Sequence, residues 1–378
     1  MLLLHDPSRE RGWERAQATL DPLSKRQGVL FYHYPAERTI EMLRNRKHIL
    51  TIMKGIYYTV PLLLVALALV VLSTCRPAPA PTLTPGPPIT TPTLVPPTPA
   101  PHPYPLSITD AMGREVTVHA EPEAIVSLAP SNTEILFALG LGDKVVGISD
   151  FCDYPEEAEA IERVGNYHEP NIEKIFALGP DLVLAITGLS EVMARLEELG
   201  IPVVILNPSD LEGILADIQL VGKATAAETE AEALVSEMRA RIAVVTGKAA
   251  AVKEKPEVFC EIDATDPSKP WTTGPGSFMN AMIQLAGGTN VAADAGSPWV
   301  QLSAEEIITK DPKIIILADS KYGVTADSVR ERPGWEVITA VKEGAIYDID
   351  DDLINRPGPR IVDGLETVAK IIHPELFE

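Results

Sequence analysis

Residues 225–252 read TAAETEAEALVSEMRARIAVVTGKAAAV, and the rest of the chain is organised around this stretch. Ala231, Leu234, Val235, Met238, Ile242 and Val245 recur at helical spacing, with Glu230, Glu232, Glu237, Arg239 and Lys248 between them. That is the pattern of an amphipathic helix with one apolar face. Thr225-Ala-Ala-Glu228 has the form of a capping box, which places the helix start at Thr225. No proline or glycine interrupts the run before Gly247. About 25 residues at ~1.5 Å each make a rod of nearly 40 Å, roughly a small domain's diameter. Taken alone this is an ordinary surface helix. Its weight comes from the chain on either side, which reads as two versions of one design.

In the first half, residues 106–109 and 115–118 alternate around an Asp110-Ala-Met-Gly113 turn and predict an opening hairpin. Short Val/Ile/Leu runs at 124–129, 144–149, 181–186 and 203–206 then alternate with helical segments at 130–140, 171–178 and 191–199. Near-continuous apolar strands between helices predict a parallel sheet covered on both faces. The second half predicts strands at 257–262, 313–318 and 345–348 and helices at 276–285, 303–310 and 361–372. Asn171-Ile-Glu-Lys-Ile-Phe-Ala-Leu-Gly-Pro180-Asp-Leu-Val-Leu aligns with Ser303-Ala-Glu-Glu-Ile-Ile-Thr-Lys-Asp-Pro312-Lys-Ile-Ile-Ile at a constant offset of 132. Each copy is a cap residue, a helix, a proline and an apolar strand. The fold class is therefore α/β: two doubly wound lobes, 106–224 and 253–378, joined by one long interdomain helix at 225–252. Each lobe puts a glutamate at the second helical position, Glu173 and Glu305. One such residue alone is a dipole complement of ~0.3–1 kcal/mol; a matched pair presents two acidic knobs to a partner at once.

The first hundred residues differ from the rest. Residues 1–52 are basic and without sustained period, and read as an upstream over-extension or a disordered segment. Met53-Lys54, the apolar run 56–72 and Ser73-Thr74-Cys75 describe a secretory signal, 53–74, with small residues before a cleavage point. The alternative is an uncleaved transmembrane anchor, for which 17 apolar residues are short of the ~20 needed. Residues 76–105 hold thirteen prolines and six threonines, too little apolar surface to pack, and form an extended spacer. The formal charge of −21 argues against a nucleic-acid partner, and loss of the basic leader makes the exported remainder more acidic still.

Enzyme signatures are missing: there is no Gly-x-Ser-x-Gly, no phosphate-cradling loop and no His-Glu-x-x-His. Beyond the leader the histidines are His102, His119, His168 and His373, too few and too scattered for a bare divalent metal receptor. Cys152 and Cys260 are too few to favour a metallocluster enzyme of similar two-lobed outline, which stays the lesser alternative; they are either free and buried or a bridge between lobes. In open α/β sheets, ligands meet the loops at the carboxyl ends of the strands. Those loops carry Ser131 and Asn132, then Tyr154, then Tyr167, and in the second half Trp271, Trp299, Asn355 and Arg356. Two tyrosines facing two tryptophans suit a bulky, partly apolar ring ligand.

With these residues assembled, the chain over 106–377 resembles the substrate-binding lipoproteins of ABC importers for vitamin B12, ferric siderophores and haem. The stretches that carry the resemblance are Ala129-Pro-Ser-Asn-Thr-Glu-Ile-Leu136, Cys152-Asp-Tyr-Pro155, 171–184 and 297–306. Leu72-Ser-Thr-Cys75 resembles a lipobox, with Thr74 where Gly, Ala or Ser is usual, and implies an acylated Cys75 at the mature N-terminus. The resemblance implies a class III periplasmic-binding-protein fold and capture and delivery without chemistry, so no intrinsic cofactor and no bound metal. The partners it implies are an ABC permease dimer with a cytoplasmic ATPase, the permease meeting Glu173 and Glu305, and the membrane through the lipid. The receptor itself is expected to be a monomer. Within the cobalamin-binding branch the aromatic positions around the corrin correspond to Tyr154, Tyr167, Trp271 and Trp299, with Tyr167 where that branch often has tryptophan. Asn355 and Arg356 are expected near the cleft mouth, where Arg356 could meet amide carbonyls, a phosphate or a siderophore carboxylate. Corrinoid, ferric siderophore and haem all stay open as ligands.

Overall fold

The computed structural model describes residues 104–166 and 168–377. The leader, Cys75, residues 76–103 of the spacer, Tyr167 and Glu378 lie outside the described residues. The chain opens on the expected hairpin, β1 (Leu106–Thr109) and β2 (Glu115–Val118), paired antiparallel. Asp110 closes its turn by accepting from the Met112 and Arg114 amides at 3.0 Å each.

Lobe one is a four-stranded parallel sheet of β3 (Ile125–Ser127), β4 (Val145–Ile148), β5 (Leu182–Ile186) and β6 (Val203–Leu206), in the order β4-β3-β5-β6. β3 and β6 are buried throughout, because helices cover both faces. The helices are α1 (Pro130–Ala138), α2 (Ile172–Ala177), α3 (Ser190–Glu198) and α4 (Leu211–Ala224).

After α5 (Glu228–Ala249), lobe two contains β7 (Glu257–Asp263), β8 (Trp271–Thr273), α6 (Phe278–Leu285), β9 (Thr289–Asn290), β10 (Trp299–Gln301), α7 (Ala304–Lys310) and β11 (Ile314–Leu317). It continues with α8 (Ala326–Arg330), α9 (Thr339–Glu343), β12 (Ile346–Asp348), α10 (Asp351–Asn355) and α11 (Ile361–Ile372). β9, β7, β11 and β12 pair in parallel in that order, which repeats the second-first-third-fourth strand arrangement of lobe one. The 132-residue offset holds in space: β3 starts at 125 and β7 at 257, α2 at 172 and α7 at 304, β5 at 182 and β11 at 314. Lobe two departs from its twin at β8, which runs antiparallel to β7, and β10, antiparallel to β8. Trp299 therefore sits on the edge strand β10 and Trp271 on β8 beside it, not on the loops that the sequence predicts.

The long helix forms with different ends. α5 begins at Glu228, and Ala227 caps it with no side-chain bond. Thr225 instead closes the helix before it: its Oγ1 donates back to the Val221 carbonyl at 2.8 Å. The expected capping box is thus absent. Ala226 takes a left-handed φ of 58° and the Ala227 amide bonds the Gly222 carbonyl at 2.8 Å, so α4 turns straight back into α5. Gly222 makes that approach possible; a Cβ there would lie 2.5 Å from the Ala231 Cβ. At 22 residues α5 spans ~33 Å, shorter than the sequence estimate, and includes Gly247. Its buried residues Ala231, Val235, Met238 and Val245 join one apolar core that runs from Ile108 and Ile125 of lobe one, through α4, to Val258, Phe278 and Ile372 of lobe two. Each lobe has in addition its own core on the far side of its sheet, around Leu128, Val183 and Leu196 in one and Phe259, Ile315 and Trp335 in the other. No helix among the described residues is long and apolar enough to cross a membrane.

Candidate ligand-binding site

The carboxyl ends of the parallel strands of both lobes converge on one seam. β3 runs into α1, whose first turns bury Ser131, Asn132 and Glu134. The segment between α10 and α11 arrives from lobe two. Gly358 passes so close to α1 that a Cβ on it would stand 3.4 Å from the Ser131 carbonyl. Glu134, only 3% exposed, accepts from Arg360 through both oxygens: Nη2 to Oε1 at 2.6 Å and Nε to Oε2 at 2.9 Å. This is the bidentate fork that a carboxylate and a guanidinium form best. Arg356 adds a third contact to Oε1 at 3.3 Å.

The loop after β4 supplies Asp153 and Tyr154. Arg356 binds Asp153 at 2.6 Å and Asp352, on the helix α10 that it caps, at 2.8 Å. Burial would push the Asp153 carboxyl up, but the Arg356 hydrogen bond outweighs it and holds the group below the usual carboxylate range. The Arg360 guanidinium lies 3.9 Å from the Tyr154 ring centroid, a cation–π contact between the lobes. Asn355 faces the Ala318 carbonyl at 3.4 Å through Nδ2, and its Oδ1 is buried without a hydrogen-bond partner, as is Asn132 Nδ2 in α1.

The two tryptophans lie on one face of the β8–β10 ribbon. Trp271 pairs with Gln301 and Trp299 with Thr273, a diagonal placement that keeps both indoles on the same side. Both pack against the shared core, and Trp299 stands edge-to-face on Phe278, centroids 6.1 Å apart. Each remains partly exposed. Five of the sequence-selected residues, Ser131, Asn132, Tyr154, Asn355 and Arg356, thus lie along the seam, and Trp271 and Trp299 share one face of neighbouring strands on lobe two.

Glu173 and Glu305 are both exposed and both second in their helices, as expected. Asn171 caps α2 by accepting from the Lys174 amide at 3.0 Å. α7 carries a full capping box, Ser303 with Glu306. The caps are held by other residues, so Glu173 and Glu305 contribute locally only as first-turn acids that complement the helix dipole.

Residues 125–353 match a family model described as periplasmic binding protein. An ABC transporter substrate-binding lipoprotein of Bacillus subtilis is 39% identical over 280 residues, 72% of this chain and 87% of that one. A vitamin B12-binding protein of Yersinia pestis is 30% identical over 242 residues, 64% of this chain and 82% of that one. Among solved structures, the apo form of a periplasmic heme-binding protein of Roseiflexus sp. has a TM-score of 0.61 at 29% identity, covering 67% of this chain and 99% of its own. The chain belongs to the periplasmic binding protein family. This binding protein is an extracytoplasmic solute carrier of the ABC-importer type and not an enzyme.

Within the binding protein, lobe two buries a second ionic group at the ends of β7 and β11. Arg332 grips Glu261 with both Nη atoms at 2.5 and 2.7 Å and stacks 4.6 Å from the Trp335 ring centroid. Beside them Asp319 accepts from the Ala264 amide at 3.0 Å through one oxygen, while the other is buried without a partner. Burial and then the Glu261 charge push its carboxyl up to about 8. Asp350, Asp351 and Asp352 bring carboxylate oxygens within 4.8 Å of one another. Lys321 and Arg356 already take up two of them, so the cluster is a set of ion pairs. Cys152 and Cys260 are free and buried, which closes the question of a bridge between lobes.

Sequence reading missed Glu134, Asp153, Asp319 and Arg360. Glu134 had a signal: an acid inside the apolar run Glu134-Ile-Leu-Phe-Ala138 needs a cationic partner, and the cations were waiting in Arg356-Pro-Gly-Pro-Arg360.

Proposed function

We propose that this binding protein is the lipid-anchored receptor of an ABC importer and that its cargo is a corrinoid of the vitamin B12 class. The observation that carries the choice of cargo is the state of the seam's cations. Arg356 already meets Glu134, Asp153 and Asp352, Arg360 is spent on Glu134, and Lys321 lies 3.3 Å from Asp352. Haem brings two carboxylates and a catecholate iron complex brings a strongly negative charge; either would face arginines that are already neutralised, among further acids. A corrinoid carries a rim of carboxamides, which both donate and accept. Asn132, with a free amide donor, and Asn355, with a free acceptor, match that chemistry. Tyr154, Tyr167, Trp271 and Trp299 are the faces proposed to stack on the ring.

Cys75 is proposed to carry the lipid, residues 76–105 to give the receptor reach, and Glu173 with Glu305 to seat the loaded monomer on its permease. A ferric siderophore of neutral or positive charge is the second reading, because the same cation-poor seam would accept it. Titration of the purified protein with cyanocobalamin, haemin, a ferric hydroxamate and a ferric catecholate, followed by tryptophan quenching, tests the choice. Cyanocobalamin should quench strongly and haemin weakly. Tight haemin or catecholate binding would overturn the charge argument, and no response to any of the four would remove the ligand class.

A further inference from the structure

Tyr154 has one ring face under a guanidinium, yet the residue remains 45% exposed, so the opposite face is open. What holds the ring in that attitude comes from elsewhere. Arg360 lies over it only because Glu134 fixes the guanidinium plane through two hydrogen bonds. A second route starts from the same carboxylate: Glu134 contacts Arg356, and Arg356 binds Asp153, the residue just before Tyr154. One buried carboxylate of α1 therefore reaches Tyr154 twice, over its face and along its backbone. Both routes run through the other lobe.

We propose that Glu134 is the positioning residue of the cleft: it sets the plane of the Tyr154 ring, and with it the plane in which a flat ligand stacks, without touching the ligand. The proposal rests on the reading above only in taking Tyr154 as a stacking face. The alternative is a plain strut that joins the lobes and leaves the ring indifferent. The two differ in what they require of Arg360. A strut needs a positive charge, which lysine supplies; an orienting plate needs the planar fork, which lysine lacks.

The test places 3-fluorotyrosine at position 154 in the full chain and compares Arg360→Lys, Arg360→Met and Glu134→Gln with the parent. Fluorine NMR of the ligand-free protein reads ring attitude, cyanocobalamin titration reads affinity, and thermal melting reads the strut. All three variants should shift the fluorine resonance and weaken cyanocobalamin binding by about tenfold, a change of ~1.4 kcal/mol. Arg360→Lys should do so with a near-parental melting point. If Arg360→Lys keeps the parental resonance, or moves it while keeping parental affinity, Glu134 is a strut and the proposal fails. Should Glu134→Gln not fold, Arg360→Lys decides alone. If the parent does not bind cyanocobalamin but the resonance moves in Arg360→Lys, the corrinoid reading fails while the positioning role stands.

Discussion

Replacing Asp319 with asparagine should make the protein more stable, and increasingly so as pH rises. Asp319 is 1% exposed and shares its pocket with the Glu261 carboxylate, so its proton is held up to about 8. In the unfolded chain the same group titrates near ~3.9. Between these values the folded chain keeps a proton that the unfolded chain has released. Stability therefore falls by ~1.36 kcal/mol for each pH unit through that window, from about 4 to about 8, and is flat outside it. At pH 7 the interval is about three units, or ~4 kcal/mol, with the attraction to Arg332 already contained in it. We expect a net cost of ~2–4 kcal/mol from this one carboxyl at neutral pH. Asparagine keeps an acceptor for the Ala264 amide and carries no charge at any pH. For a domain of this size ~1 kcal/mol is worth ~2–4 °C, so Asp319→Asn should melt roughly 4–16 °C higher at pH 8 and close to the parent at pH 4. Circular dichroism melts of both proteins from pH 4 to pH 9 give the answer. A melting difference that does not grow over that range, or a variant less stable at pH 8, would refute the reasoning.

Three further outcomes follow from the same structure. Glu173→Arg with Glu305→Arg should abolish uptake in cells while the purified double variant binds its ligand as before; loss of affinity would show that these helices serve the cleft. Gly222→Val should lower stability by ~1–3 kcal/mol, because the new side chain meets the Ala231 Cβ and the Ala227 carbonyl where α4 turns into α5; an unchanged urea midpoint would contradict the tight crossing. Cys260, pushed up to about 12 by burial, and Cys152, raised for the same reason, should ignore thiol reagents in the native protein and react on unfolding. Rapid native labelling of either would argue that its lobe opens.

What could be read from sequence was whatever repeats or has a fixed period. The 132-residue offset located β5 with β11 and α2 with α7, and α11 was predicted with its observed bounds, because caps, prolines and apolar runs are local signals. α4 went unread although Asp210 caps it through the Gly213 amide at 2.7 Å. Its Gly213 and Gly222 look like breakers, and only the packed structure shows that they admit neighbouring backbone and side chains. Thr225 was misassigned for a related reason: its hydroxyl had two helices to choose from, and the left-handed turn at Ala226 decided for the earlier one. The cleft residues split the same way. Side chains on strand-end loops could be selected by residue type, whereas the Glu134–Arg360 pair joins positions 226 residues apart, which no local pattern encodes.

The apolar core that passes without a break from Ile108 through α4 and α5 to Ile372 also bears on how such a molecule can be divided and altered. Cutting the gene at the turn near Ala226 would leave two fragments, each with half of a greasy interface facing water. The duplicated lobes are therefore no longer modules: the protein should show a single calorimetric transition, and grafting one lobe onto a cousin's partner would require rebuilding the hairpin between them. Changes of cargo are channelled to the exposed loop side chains at the seam, such as Tyr154, since those carry the least packing behind them.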